Sequence, residues 1–291
     1  MINQKLLTIL GMIARSVRLI GLGPLLQIIR DFVDLSLLKL GKLPLKIYLD
    51  GRVLYGCFRH RSFLHHLSTG AYESFTAELF KRSLRPGMTV VDGGAHIGFY
   101  TLLAAELVGT NGRVFSFEPD SYNFPCLTSN VCKNKYQNVT VIQKAVANKV
   151  ENTILYQSSS TISSSLGNRI GMRNFFKGTS IKRVSIQSTT LDSELQNSPV
   201  DVIKLDIEGA ETLALMGMPK TLQANRSLIL FLEINPSALQ SVGTSSDTLI
   251  MILKSLGLDV YFIDEVGRRL LPITGESNIQ KKGMLYCTKG D

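Results

Sequence analysis

The sequence predicts an α/β protein: a mostly parallel sheet with helices on both faces, preceded by N-terminal helices and a β-hairpin. Two observations predict it. From about residue 85 onward, short apolar runs of strand length alternate with helical patterns, the order that parallel strands joined by crossover helices require. The first of these runs, Met88-Thr-Val-Val-Asp92, leads directly into the glycine-rich turn Gly93-Gly-Ala-His-Ile-Gly98. In such sheets ligands bind outside the carboxyl ends of the strands, where the strand order reverses.

Composition narrows the classes. The 291 residues are 44% hydrophobic and 19% charged, enough apolar material for one large core or two small ones and too little charge for a disordered chain. The 24 Gly and 9 Pro show no period, which excludes collagen-like and repeat architectures. Four cysteines without a CxxC pair fit reduced thiols in a reducing compartment, not a disulfide scaffold or a metal finger. The net charge of +9 permits an anionic partner. Basic stretches interleaved with aromatics are missing and there is no Trp, so nucleic acid is not the expected partner.

Residues 1–44 read as a separate unit. The apolar run Leu6–Ala14 is flanked by Lys5, Arg15 and Arg18, and Leu19–Ile29 is broken by Gly21, Gly23 and Pro24. Each falls short of the roughly 20 residues of a membrane span. The spacing predicts two amphipathic helices, about 2–20 and 24–40, with Pro24 at a helix start. Their apolar faces either cap the main domain or lie on an anionic membrane surface, with Lys5, Arg15, Arg18 and Arg30 toward the headgroups.

The main domain spans 45–291. Lys46–Leu49 and Arg52–Tyr55 flank Asp50-Gly51, a hairpin turn that supplies the positive φ required. A helix over about Glu73–Leu84 is stopped by Pro86-Gly87. After the Met88–Asp92 strand and its turn come helix Phe99–Val108, strand Arg113–Phe117 ending at Glu118, helix 121–134 and strand Val139–Gln143. Strand Val200–Leu205 ends at Asp206, and a helix begins at Glu211. Strand Leu228–Leu232 and helix 246–256 precede the last two strands, Leu258–Ile263 and Met284–Thr288.

The stretch of about 150–190 departs from this rhythm. Asn152–Gln157 and Ile181–Gln187 alternate as antiparallel strands do. Between and beside them lie a serine-rich run and Arg169, Arg173, Lys177, Lys182 and Arg183, with no acid among them. Such an insertion is either a solvated connection or a lid that grips an anionic acceptor.

The chemistry starts at the first strand. Small residues in the turn after Asp92 let backbone approach a ligand and let the helix pack close to the strand. A dinucleotide fingerprint wants Gly-x-Gly-x-x-Gly, and Ala95 occupies its middle glycine. Asp92 would sit beside bound phosphates at an electrostatic cost. It suits a cationic ligand such as S-adenosylmethionine, which carries a sulfonium and an ammonium. Glu118, ending the second strand, is placed to accept hydrogen bonds from ribose hydroxyls of either cofactor. A nicotinamide-dependent oxidoreductase therefore stays open on these residues alone, and Asp92 as a mere helix cap is the bland reading.

The segment Thr189-Thr-Leu-Asp192, then Asp201-Val-Ile-Lys204-Leu-Asp206-Ile-Glu208-Gly209-Ala-Glu211, resembles the signature of the FkbM family of S-adenosylmethionine-dependent methyltransferases. Tyr72-Glu73, Leu84-x-Pro-Gly87, Val90–Thr101, Phe117-Glu118-Pro119 and Asn130 resemble the same family in the same order. The resemblance covers roughly 70–290. It departs at Gly93, where hydrophobic residues are common, and at His96, where Asn is common. It implies a class I methyltransferase (Rossmann-like) fold, with a seven-stranded sheet whose last strand is antiparallel. It also implies O-methylation of a hydroxyl on a sugar, glycolipid or natural product. The cofactor would lie across Asp92, Gly93, Gly94, Ala95, Gly98, Tyr100 and Thr101, with Glu118 and Pro119 at its ribose. Ala145 would flank the adenine, and Asp206 would close the methionine end.

A hydroxyl acceptor needs a proton acceptor. No histidine follows His96, itself read as a spectator on the cofactor turn, so the base is a carboxylate or Lys204. Asp206 and Glu208 alternate with Lys204 at the strand end, and the lysine would keep one of them ionised. These three are the catalytic candidates, against the alternative of a structural ion-pair group. Oxygen ligands from Asp206 and Glu233-Ile-Asn235 would suit Mg²⁺, but two or three ligands are few and no metal is expected. The methyl donor is made in the cytosol, so the expected location is cytoplasmic, on the cytosolic side of any membrane contacted. A catalytically silent methyltransferase-like binding module is the remaining alternative, against which the intact Asp92, Gly98 and Glu118 argue.

Overall fold

The computed structural model describes residues 45–158, 164–166, 181–196, 198–225, 227–274 and 279–289. The expected helices of 1–44 lie outside the described residues, as do Arg169, Arg173 and Lys177 of the insertion.

The chain opens with a hairpin, β1 (Leu45–Leu49) and β2 (Arg52–Gly56), turning at Asp50 and Gly51 with φ of 48° and 83°. Helices α1 (Arg61–Ser68) and α2 (Ser74–Ser83) follow. Then come β3 (Thr89–Gly93), α3 (Phe99–Val108), β4 (Arg113–Phe117), α4 (Asn123–Lys133) and β5 (Val139–Ile142). The insertion holds β6 (Ala145–Val146), β7 (Glu151–Ser158), β8 (Ser164–Ser165) and β9 (Ile181–Thr189), closed by α5 (Leu191–Leu195). The second half runs β10 (Val202–Leu205), α6 (Glu211–Met216), α7 (Pro219–Ala224), β11 (Ile229–Ile234), α8 (Pro236–Ser241) and α9 (Ser246–Ser255). It ends with β12 (Leu258–Asp264), β13 (Arg269–Pro272) and β14 (Gly283–Lys289).

The main sheet has the order β13-β12-β14-β11-β10-β3-β4-β5. From β3 the chain winds outward through β4 and β5. It then returns to the other side of β3 with β10 and β11, so the order reverses between β3 and β10. β14 runs antiparallel to both its neighbours. The seven-stranded arrangement is therefore present, and β13 adds an eighth strand at the edge, antiparallel to β12. Arg269–Pro272 is short and half-exposed, with no alternation that would mark it as a strand.

Both faces of the sheet are covered. One apolar cluster joins Val91, Ile203, Leu205, Leu230 and Leu232 to the helix residues Ala214, Leu239, Leu249 and Leu253. The other joins Val90, Val202 and Phe231 to Phe80, Leu103, Ala104 and Val108. All four residues of β10 are buried, which explains its near-continuous apolar sequence. Each such aliphatic side chain adds about 1.5–3 kcal/mol by leaving water. Register places Lys204 opposite Asp92 and Leu205 opposite Gly93, so two charged groups meet at the point of reversal.

The insertion is a second sheet of order β6-β9-β7-β8. β7 and β9 pair antiparallel from Glu151↔Ser188 to Ser158↔Ile181, as their alternation predicts. The N-terminal hairpin is fastened differently. Asn130 accepts from the Tyr55 backbone N–H and donates to the Tyr55 carbonyl, and Asn134 does the same to Val53. Two asparagines four apart, Asn130 in α4 and Asn134 at its C-cap, thus stand in for a neighbouring strand.

Candidate active site

Asp92, at the end of β3, is 1% exposed. The Thr101 hydroxyl donates to its Oδ2 at 2.6 Å and lies 2.9 Å from the Ser116 hydroxyl. Its Oδ1 is buried without a hydrogen-bond partner. Burial raises the Asp92 carboxyl and Lys204 partly offsets this. The turn that follows needs its small residues. Gly94 has φ 78°, and a Cβ there would overlap the Asp206 carbonyl oxygen. Gly94 and Ala95 donate their N–H groups to the Phe117 carbonyl, which locks the β3 turn against the end of β4. Gly98 has φ 100° and packs on Leu127.

Glu118 is buried beside this turn. Its carboxylate accepts from the His96 N–H at 2.8 Å and the Asp120 N–H at 2.9 Å, with Asn123 Nδ2 at 3.4 Å. Burial outweighs these bonds and pushes its pKa up to about 8. Asn123 in turn meets His60 Nε2 at 3.0 Å. His96 stacks edge-on against both His60 and Phe63. Burial, then the neighbouring His60, push its imidazole down to about 3, so it is neutral, and its Nε2 has no partner.

Across the crevice Lys204 is 2% exposed. Its Nζ lies 3.2 Å from Asp206 Oδ2 and 4.5 Å from the Tyr100 ring centroid. Burial works against its charge, yet Asp206, Asp92 and Glu73 together raise its pKa. Asp206 feels burial too, but Lys204 and Lys282 hold it below its usual range. Tyr100 donates to Glu73 Oε2 at 2.7 Å.

A third group forms where β10 and β11 end. Carboxylate oxygens of Asp206, Glu208 and Glu233 lie within 4.8 Å of one another. Lys282 Nζ sits 2.5 Å from Glu233 Oε1 and 3.6 Å from Glu208 Oε1. Asn235 Nδ2 donates to Glu208 Oε2 at 3.2 Å. Glu233 is 2% exposed, and its Oε2 has no hydrogen-bond partner. Burial, then Glu208 and Asp206, push its pKa well above the ordinary carboxylate value. Glu73, His96 and Glu208 all carry positive φ (41°, 54° and 50°), a conformation that surrounding structure must enforce.

These groups surround one cavity of about 270 Å³. Of the sequence-predicted residues, Asp92, Gly94, Ala95, Tyr100, Glu118, Pro119, Ala145, Lys204, Asp206 and Glu208 line it. Gly93, Gly98 and Thr101 do not; they shape the turn and hold Asp92 from behind. Sequence reasoning missed Lys282, which reaches the cavity only because β14 inserts between β11 and β12. Glu73 stands in a quoted motif but was given no role, and His96 lines the cavity instead of standing aside. Ser165 and Leu166 of the insertion also border the cavity, and Ser165 Oγ donates to the Glu208 carbonyl at 2.6 Å.

The sequence profile of the methyltransferase FkbM domain matches residues 92–260. No curated protein sequence matches the chain. Among solved structures, the chain is similar to a methyltransferase FkbM from Methylobacillus flagellatus KT, at 15% identity and TM-score 0.44, over 72% of this chain and 50% of that one. It is similar to an S-adenosylmethionine-dependent O-methyltransferase from Thermotoga maritima, at 16% identity and TM-score 0.40, over 75% of this chain and 64% of that one. An S-adenosylmethionine-dependent methyltransferase from Aquifex aeolicus shows 17% identity and TM-score 0.41, over 75% of this chain and 92% of that one. The nicotinamide alternative falls with the profile match, which begins at Asp92 itself and runs through the whole of the Asp201–Glu211 segment. The chain belongs to the FkbM methyltransferase family, whose methyl donor is S-adenosylmethionine.

Proposed function

We propose that the protein methylates a hydroxyl oxygen of a sugar, glycolipid or natural product. The carrying observation is the carboxylate group of Asp206, Glu208 and Glu233 at the rim of the cofactor cavity. A hydroxyl must lose its proton as its oxygen gains a bond, whereas the lone pair of a neutral amine attacks without that help.

The cavity fits the donor. The unpaired, buried Asp92 Oδ1 offers an acceptor for a cationic group, and Gly94 lets the turn close on Asp206. Asp92, Ala95, Tyr100, Glu118, Pro119 and Ala145 would hold the cofactor, with Asp206 at its methionine end. When bound, S-adenosylmethionine supplies an activated methyl group on a sulfonium that leaves as a neutral thioether. The protein's own task is to hold the acceptor oxygen in line and take its proton. Lys204, with its raised pKa, stays an ammonium. It supports the chemistry by keeping Asp206 ionised, not by acting as the base. Glu233, whose carboxyl burial pushes well above the ordinary value, would take the acceptor proton. Glu208, tied to the insertion through Ser165, would position the acceptor.

Among the described residues no helix is long and apolar enough to cross a membrane. The activity belongs on the cytosolic side, because the charged donor does not cross bilayers unaided. Contact of residues 1–40 with anionic lipid and an anionic acceptor on the basic insertion remain part of this proposal.

The test is incubation with S-adenosylmethionine and fractionated glycan or lipid extracts, with products mapped by mass spectrometry. Glu233→Gln should lower kcat by about 10²–10⁴-fold with S-adenosylhomocysteine affinity unchanged. Methyl groups found on nitrogen, or full turnover in Glu233→Gln, would overturn the reading.

A further inference from the structure

The charge at the rim of the cavity does not balance. Three carboxylates, those of Asp206, Glu208 and Glu233, converge within 4.8 Å, and two of them approach from the carboxyl ends of adjacent parallel strands. Glu233 is buried and Asp206 and Glu208 are partly exposed, and carboxylates this close repel one another unless a cation sits among them. Lys204 neutralises Asp206 from below. On the solvent side the cation is Lys282, whose side chain is 57% exposed. It reaches Glu233 Oε1 and leaves Glu233 Oε2 buried and without a hydrogen-bond partner. The Lys282 ammonium sits on a flexible stem, and an ion entering here must displace it from Glu233 and Glu208.

We propose that Asp206, Glu208 and Glu233 form a binding site for a divalent cation of the Mg²⁺ or Mn²⁺ class, which displaces Lys282. The chemistry of the donors supports this. Hard divalent cations take carboxylate oxygens, usually from a few side chains, and keep water or substrate oxygens in the remaining positions. Each of the three carboxylates can give one oxygen to the ion, while Lys204 holds Asp206 Oδ2 and Asn235 holds Glu208 Oε2. Asn235 holds Glu208 by its Oε2 at 3.2 Å, the kind of outer support that fixes a ligating carboxylate. The unpaired Glu233 Oε2 is the independent sign of a missing partner, because a buried carboxylate oxygen left unbonded costs free energy that a ligand would recover. The proposal deepens the O-methylation reading and rests on it, since a cation here would meet the acceptor oxygen and lower the pKa of its hydroxyl.

Mn²⁺ binding to the full-length protein, followed by the loss of free-ion signal in electron paramagnetic resonance, tests this without any acceptor. One site with Kd of about 1 mM or tighter is expected, with Mg²⁺ competing. Glu233→Gln and Glu208→Gln should each weaken Mn²⁺ by at least about tenfold. Lys282→Ala should tighten it several-fold, because it removes the competing charge. S-adenosylhomocysteine affinity serves as the check on folding. Should Glu233→Gln fail to fold, Glu208→Gln and Lys282→Ala decide. No Mn²⁺ binding, or binding indifferent to these substitutions, overturns the cation site. Hydroxyl methylation that persists undiminished in a chelator would do so too, while leaving the O-methyltransferase reading intact.

Discussion

At Asp92 the proposed cofactor site and the stability of the fold pull in opposite directions. One carboxylate oxygen is fixed by Thr101 and the other is buried unpaired. Asp92→Asn should weaken S-adenosylhomocysteine by at least about tenfold, or about 1.4 kcal/mol. It should leave the melting temperature of the ligand-free protein unchanged or raised, as a destabilised functional site allows. Calorimetry beside a thermal melt separates the two outcomes. Other single groups make stability depend on pH. Burial raises the carboxyls of Glu118 and Glu211 from 4.5 to about 8. Between those values the folded protein keeps protons that the unfolded chain has released, so stability falls as pH rises. His96, lowered from 6.5 to about 3, acts in the opposite sense, but only below 6.5. From pH 6.5 to 8 the ligand-free protein should therefore lose stability, by up to about 1.4 kcal/mol per pH unit for each retained proton. Urea unfolding should show this slope flattened in Glu118→Gln and in Glu211→Gln. A slope equal to that of the parent protein in both variants would contradict the assignment. At this scale the sequence made the strand-end acids legible, because Asp92, Glu118 and Asp206 each close an apolar run. Lys282 was not legible, since nothing local distinguishes a lysine that precedes a strand.

Among the elements, the second sheet links the insertion to the site. Its alternating strands were readable, but the contact of Ser165 with the Glu208 carbonyl joins residues 43 apart by a path no local pattern encodes. Ser165→Ala removes one hydrogen bond, so stability should drop by about 0.5–1.5 kcal/mol. If the insertion positions the acceptor, kcat/KM for it should fall while S-adenosylhomocysteine affinity holds; unaltered kinetics would leave the serine a structural tie. The hairpin offers a second test. Asn130 makes hydrogen bonds to both backbone groups of Tyr55 and to the Ile97 carbonyl. Asn130→Ala leaves these backbone groups without a partner, so a loss of about 2 kcal/mol or more is expected in a urea titration. Asn130 stood among the motif residues, yet only the fold reveals that it substitutes for a strand. The edge strand β13 escaped notice because a short, half-exposed segment carries little periodicity, and α1 because its buried Phe63, Leu64 and Leu67 lie in a helix of only eight residues.

For the whole molecule, alternation of strands and helices fixed the class of sheet, and the motif order fixed the family. Strand order came from topology alone, and it determines when the site can exist. β14 occupies the slot between β11 and β12, although it is synthesised after every other strand of the sheet. Until it arrives, β11 presents an open apolar edge and β12 has no partner on that side. Pairing Ile229–Ile234 with Gly283–Thr288 closes a loop of about fifty residues, and such long-range contacts form slowly. Lys282 is carried in by the same closure. The nascent chain thus has its glycine turn, strand-end acids and Lys204 early and Lys282 late, so an interrupted or stalled chain exposes both a sticky strand and a cluster of acids that Lys204 alone offsets.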